Sequence, residues 1–242
     1  MWNLLKSSDP HLLNRKSIHK SIFELKCKKP DREQPLNESV PDKKLAKRIG
    51  DYLICSSGTL KNAVKRQGQL LKLGKTDKHI GEILLENKEI SREDLETAIR
   101  KQRIDRIKFC PVFSTLTGTE LSALSMKFTE VSIPAGEQFI YQDMPDPKLY
   151  IIATGKVQVY RSDMAGNLTH IAYVEPPEPI GEMGYFSGGI RTASVRAVDP
   201  TELLCADYSS LTHYFEHVPR VAHAFMQMVE QRRQATEAIM RK

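Results

Sequence analysis

Between Val131 and Tyr173 the apolar residues recur at every second position, in runs only a few residues long. Val131/Ile133, Phe139/Tyr141, Tyr150/Ile152, Val157/Val159 and Ile171/Tyr173 each place two apolar side chains on one face of a short strand. Gly136, Gly155 and Gly166 fall between the runs, where the chain must reverse. Strands this short cannot bury a face singly. Closely spaced, they close into a small antiparallel β-barrel or jelly roll. Helical patterns flank this block on both sides, so the expected class is α+β. A small helical domain comes first, followed by a jelly roll with flanking helices.

The stretch that follows the strands, Ile180 to Val198, has the layout of an anion cradle. Gly181 lets backbone approach a ligand without a Cβ in the way. Glu182 to Phe186 can form a helical turn whose free N–H groups face an anion. Gly188 and Gly189 permit a reversal, and Arg191 then offers a planar fork of donors suited to phosphate. Thr192 adds a hydroxyl, and Ala193 begins the strand that returns to the sheet. A carboxylate in a phosphate site needs something else to face, and Glu182 suits a sugar hydroxyl. The ligand so described carries both ribose and phosphate.

This stretch resembles, without gaps, the phosphate-binding cassette of cyclic nucleotide-binding domains of the catabolite activator and protein kinase A regulatory type. "Pro-Ala-Gly-Glu" from Pro134 and "Leu-Tyr-Ile-Ile" from Leu149 match the family order as well. The resemblance implies that Gly181, Glu182, Met183, Arg191, Thr192 and Ala193 contact a cyclic nucleotide. Glu182 would accept from the ribose 2′-hydroxyl, and Arg191 and Thr192 would hold the phosphate. One departure is Glu175-Pro-Pro-Glu-Pro179, where relatives carry a Gly-Asp turn; its carboxylates are expected to oppose an anion.

The remaining pieces of this half follow. Phe113, Leu116, Leu121 and Leu124 mark a helical segment before the strands, with Thr119 as its expected cap. The last helix begins near Pro219 and carries Val221, Phe225, Met228, Val229, Ala235, Ile239 and Met240 as its apolar stripe. Arg232 and Thr236 lie on the same stripe, and polar groups on a buried face need partners. By the resemblance, Arg232 meets the cassette Glu and Thr236 meets the purine. The ligand expected is cAMP in preference to cGMP, with no cofactor. The same helix is the expected contact of a homodimer.

From Leu45 to Ile107 the pattern is helical and repeats. Arg48-Ile-Gly-Asp-Tyr-Leu53 is followed by Leu60, Ala63, Val64 and Gln67. His79-Ile-Gly-Glu-Ile-Leu84 is followed by Leu95, Ala98, Ile99 and Gln102. Ser91 with Asp94 is a capping-box variant between the helices of the second copy. Two such units would pack into a small bundle. This half resembles the N-terminal domain of type II secretion and type IV pilus assembly ATPases. Some members of that family bind cyclic di-GMP, which would involve Arg48, Gly50, His79 and Gly81 here; others are docking modules. The first copy is four residues shorter than the second, and His79 stands where the pattern has Arg.

The divisions expected are therefore 1–44 as a basic tail and linker, 45–107 as the helical repeat domain, and 108–242 as the nucleotide-binding domain. The first 47 residues carry eleven Lys/Arg against six Asp/Glu, and residues 12–25 hold a short helical pattern. Such a tail can touch nucleic acid or anionic lipid, or stay solvated. No apolar run reaches the length of a membrane span, and the first ten residues lack a signal-peptide core. Four scattered cysteines without a Cys-x-x-Cys pair fit a reducing cytoplasm, not zinc or disulfides. No nucleophile elbow, Walker loop or paired-histidine motif is present, so an enzyme is not expected. No helix-turn-helix follows the last helix within these 242 residues, so action on DNA is not expected either. The sequence thus describes a bacterial cytoplasmic sensor or adaptor. It would read a cyclic purine mononucleotide and pass the signal to a protein partner through its helical half. The alternatives are an integrator of cAMP and cyclic di-GMP, and a ligand-free scaffold with a degenerate cassette.

Overall fold

The computed structural model describes residues 47–72 and 79–241. The basic tail, the helical pattern at 12–25 and Cys27 lie outside these residues. The helical half begins with a 3₁₀ turn, Ile49–Asp51, followed by α1 (Ser57–Lys72), α2 (Ile80–Glu86) and α3 (Arg92–Phe109). Its core is Leu53, Ala63, Ile83, Leu84, Ile90 and Ala98.

The repeat is visible in its packing. Gly50 lies so close to Leu60 that a Cβ there would overlap the leucine methyls, and Gly81 stands in the same relation to Leu95. Each copy also starts alike. The carboxylate three residues on accepts from the backbone N–H that opens the turn: Asp51 from Arg48 at 2.9 Å, Glu82 from His79 at 3.0 Å. Ser91 caps α3 as expected, accepting from the Asp94 N–H at 3.1 Å. Val64 departs from the expected stripe. It is 49 % exposed.

After α4 (Gly118–Ser125) the chain enters two four-stranded antiparallel sheets. The strands are β1 (Thr129–Ile133), β2 (Gln138–Ile140), β3 (Lys148–Thr154), β4 (Val157–Ser162), β5 (Leu168–Val174), β6 (Pro179–Ile180), β7 (Ser194–Ala197) and β8 (Thr201–Asp207). One sheet runs β1-β8-β3-β6 and the other β2-β7-β4-β5, the jelly-roll arrangement expected. Two more helices complete the chain, α5 (Tyr208–His217) and α6 (Pro219–Met240).

Alternation explains why β3 is buried along almost its whole length. Tyr150 and Ile152 face the other sheet, joining Ile140, Val157, Val195, Leu203 and Cys205. Leu149 and Ile151 face the opposite way, into a second core with Phe113, Phe128, Leu204, Phe215 and Phe225 from the flanking helices. β8 divides its side chains in the same manner. A central strand with apolar groups on both faces cannot slip by one residue without exchanging the two cores. The helices are therefore held on one side of the sandwich, next to the loop that follows β6.

One expectation at a helix end is corrected. The cap of α4 is Thr117, not Thr119. The Thr117 hydroxyl and N–H are both 2.8 Å from Glu120 Oε2, and this reciprocal box needs a spacing of three. α3 runs unbroken through residue 107. Its Ala98 belongs to the bundle core, while its Ile107 lies in the core beneath the sheet. Arg103 pairs with Glu130 at 2.7 Å and Arg106 with Glu202 at 2.7 Å, so α3 is tied to β1 and β8.

Candidate functional site

The candidate site is built around Gly181, which sits between β6 and a 3₁₀ helix, Glu182–Ser187. Its φ of 88° is left-handed, and a Cβ there would overlap the Arg191 guanidinium. Both reasons require glycine. The turn aims Glu182 inward, where it is 5 % exposed.

Arg191 closes the loop from the other side and is 2 % exposed. Its five N–H groups all meet protein acceptors. Nε and Nη2 donate to Asp146 Oδ2 at 3.1 and 2.7 Å, and Nη2 donates to the Lys148 carbonyl at 2.8 Å. Nη1 donates to the Gly181 carbonyl at 3.0 Å and to the Tyr208 hydroxyl at 3.1 Å. Tyr208 in turn donates to the Gly181 carbonyl. Burial pushes the Tyr208 hydroxyl above the ordinary phenol range, partly offset by the Arg191 charge, so it remains a neutral donor. Arg191 thus stitches the cassette to the β2–β3 loop, to β3 and to α5.

α6 supplies the third wall. Arg232 reaches Glu182 at 3.0 Å, Glu178 at 2.8 Å and the Pro179 carbonyl at 2.5 Å. The carboxylates expected to oppose an anion are therefore compensated: Glu178 by Arg232, and Glu175 by Lys156 at 3.0 Å. Further along α6, Arg233 is occupied by Glu230 and Glu237.

These walls enclose a pocket of about 340 Å³. Gly181, Glu182, Met183, Arg191, Thr192, Ala193, Arg232 and Thr236 all line it, so the eight residues expected to contact a nucleotide come to one cavity. The floor is apolar, with Ile140, Val159, Val174 and Val195 from the second sheet. Sequence reasoning missed Asp146, Tyr208 and Arg161. Asp146 lies in a loop with no periodic signal, whereas Tyr208 opens the stripe Tyr208, Leu211, Tyr214 and Phe215, a helical spacing that could have placed it on a buried face. Arg161 had a signal too: it continues the inward series Val157, Val159 on β4, and it also lines the pocket.

Arg48, Gly50, His79 and Gly81 lie elsewhere, in the helical half. Arg48 and His79 are exposed residues at the start of their turns, and Gly50 and Gly81 are packed against leucine side chains. Among the described residues no group of three His, Cys, Asp or Glu side chains could hold a metal ion. No helix among them is long and apolar enough to cross a membrane.

Residues 130–217 match the family model of the cyclic nucleotide-binding domain. The cyclic AMP receptor protein of Thermus thermophilus is 31 % identical over 126 residues, 52 % of this chain and 58 % of that protein. The CRP-like cAMP-activated global transcriptional regulator of Mycobacterium tuberculosis is 23 % identical over 125 residues, 52 % of this chain and 56 % of that protein. The chain thus spans somewhat over half the length of these curated relatives. Among solved structures, the sensor domain of the transcriptional regulator DNR from Pseudomonas aeruginosa superposes with a TM-score of 0.50 at 18 % identity, covering 55 % of this chain and 90 % of that one. That likeness concerns the fold.

Proposed function

We propose that this chain is a bacterial cytoplasmic sensor that binds a cyclic purine mononucleotide, cAMP in preference to cGMP, and relays binding to a protein partner without itself being an enzyme. The observation that carries the reading is the convergence of Glu182 and Thr192 from the cassette and Arg232 and Thr236 from α6 on one cavity. A volume near 340 Å³ falls in the range of small-molecule pockets, roughly 300–1,000 Å³. Both curated relatives are named for cAMP, which supports the choice of ligand.

In this reading Glu182 accepts from the ribose while keeping Arg232, since a carboxylate has lone pairs for both. Thr192 offers its hydroxyl to the phosphate, and Arg191 keeps Asp146 while exchanging one carbonyl acceptor for a phosphate oxygen. Thr236 faces the base. Binding shifts the population of the α6 position, because α6 meets both ligand and cassette. α3 carries the change to the helical half, being packed into both cores. The helical half then serves as the docking module for the partner.

The test is calorimetric titration of the full chain with cAMP, cGMP and cyclic di-GMP. Saturable cAMP binding, weaker cGMP binding and no cyclic di-GMP binding are expected. Folded protein that binds neither mononucleotide overturns the reading. Binding of cyclic di-GMP alone would transfer the sensor role to Arg48 and His79.

A further inference from the structure

We propose that Arg161 is a second phosphate-binding cation of this pocket, acting beside Arg191 and outside the cassette; the inference rests on the function proposed above. The argument begins with charge. Four arginines line the pocket: Arg161, Arg191, Arg232 and Arg233. Arg191 is paired with Asp146, Arg232 with Glu178 and Glu182, and Arg233 with Glu230 and Glu237. Arg161 alone among them has no carboxylate partner among the described residues. The nearest acid in sequence, Asp163, is held in its own turn by Asn167 and the Ala165 N–H. The Arg161 Nε is buried and makes no hydrogen bond. A guanidinium that lines the cavity without a carboxylate partner is available to an anionic ligand.

Position agrees with charge. β4 pairs with β7 in antiparallel register, Val159 opposite Val195 and Tyr160 opposite Ser194. The next rung sets Arg161 beside Ala193, immediately after the Thr192 hydroxyl at the exit of the cassette. Arg161 and Val159 share a face of β4, and both line the cavity. The guanidinium therefore stands at the phosphate end. Arg191 is balanced by Asp146, so the cation not offset by a carboxylate, and available to a singly charged cyclic phosphate, is Arg161.

The test titrates wild type, Arg161→Met and Arg161→Lys with cAMP, cGMP and adenosine, with thermal melts to establish folding. Methionine suits the apolar neighbours Val159 and Ile171. Arg161→Met is expected to weaken cAMP and cGMP alike, by about ten- to a hundredfold, the loss of a charged hydrogen bond. Arg161→Lys should retain part of the affinity, and adenosine binding should be the same in all three proteins. Unchanged cAMP affinity in Arg161→Met overturns the inference and leaves the proposed function standing. Loss confined to cGMP also overturns it, placing Arg161 at the base, and an equal loss for adenosine assigns it a structural role. A wild type that binds neither mononucleotide defeats the proposed function, and this inference with it.

Discussion

Replacing Gly181 with alanine separates the two roles of the residue, because the fold contains its own control. Gly136 has a φ of +82° and Gly181 one of +88°, so an added Cβ meets similar backbone strain at both. At Gly136 nothing lies within 4 Å of the added atom, while at Gly181 it overlaps Arg191 Nη1. The strain is about 1–2 kcal/mol for a left-handed residue. Alanine recovers roughly 0.4–1 kcal/mol by restricting the unfolded chain. Gly136→Ala should therefore destabilise by about 1 kcal/mol. Gly181→Ala must also displace a buried guanidinium from at least one acceptor, worth about 1.5–3 kcal/mol for a charged hydrogen bond. A total of about 2.5–4 kcal/mol follows. Urea unfolding followed by circular dichroism measures both variants, with Gly166→Ala as a second open-space control. Should Gly181→Ala lie within about 0.5 kcal/mol of the controls, Arg191 is not the rigid stitch described here.

Other outcomes follow from the helical side of the sandwich. Phe225 is 1 % exposed and stacks on Phe215 with ring centroids 4.0 Å apart, so Phe225→Ala should lower stability by about 3–5 kcal/mol in the same urea assay. Glu120 is held at a pKa of about 2, first by the Thr117 N–H and then by Arg220. Because the folded value is depressed, its contribution is complete above the unfolded value of 4.5 and is lost as pH falls toward 2. A carboxyl titration by NMR with a midpoint near 4.5 would contradict the cap. Burial pushes the Cys110 thiol up to about 12, so a thiol reagent at pH 8 should label Cys55 in the folded protein and spare Cys110 until denaturant is added. Early labelling of Cys110, read by peptide mapping, would show that α3 opens at its C-terminus.

Much of the fold was legible because its signals are local. A two-residue period with glycines between the runs requires no knowledge of distant residues, and it located five strands. β8 and α5 passed unnoticed. Leu203-Leu204-Cys205-Ala206 is a continuous apolar run, which periodicity cannot assign, and it is continuous because β8 is buried on both faces. At the site, the residues set by the backbone turn were readable and their partners were not. Asp146 lies 45 positions before Arg191 in a loop, and Glu178 was read as a repulsive charge because Arg232 lies 54 positions away. Arg161 was overlooked for a different reason. It continues an apolar series, and a single charge there reads as the end of the buried face unless the cavity is known.

Burial, more than count, decides which of the arginine pairs matter. Arg233 has two carboxylate neighbours, but its side chain is 45 % exposed and its partners lie on the same helix, where an ion pair contributes about 0.3–0.5 kcal/mol. Arg191 has one carboxylate neighbour and is 2 % exposed. Removing its partner would leave a charge out of water, a loss of about 3–5 kcal/mol. Arg232 stands between these cases, with its side chain 26 % exposed against a Glu182 side chain at 6 %. It is buried enough to hold α6 on the cassette and accessible enough to shift when the proposed ligand shares Glu182. A latch of that intermediate strength is what a population shift requires: a pair as deep as Arg191–Asp146 would not exchange, and one as exposed as Arg233–Glu237 would bias nothing.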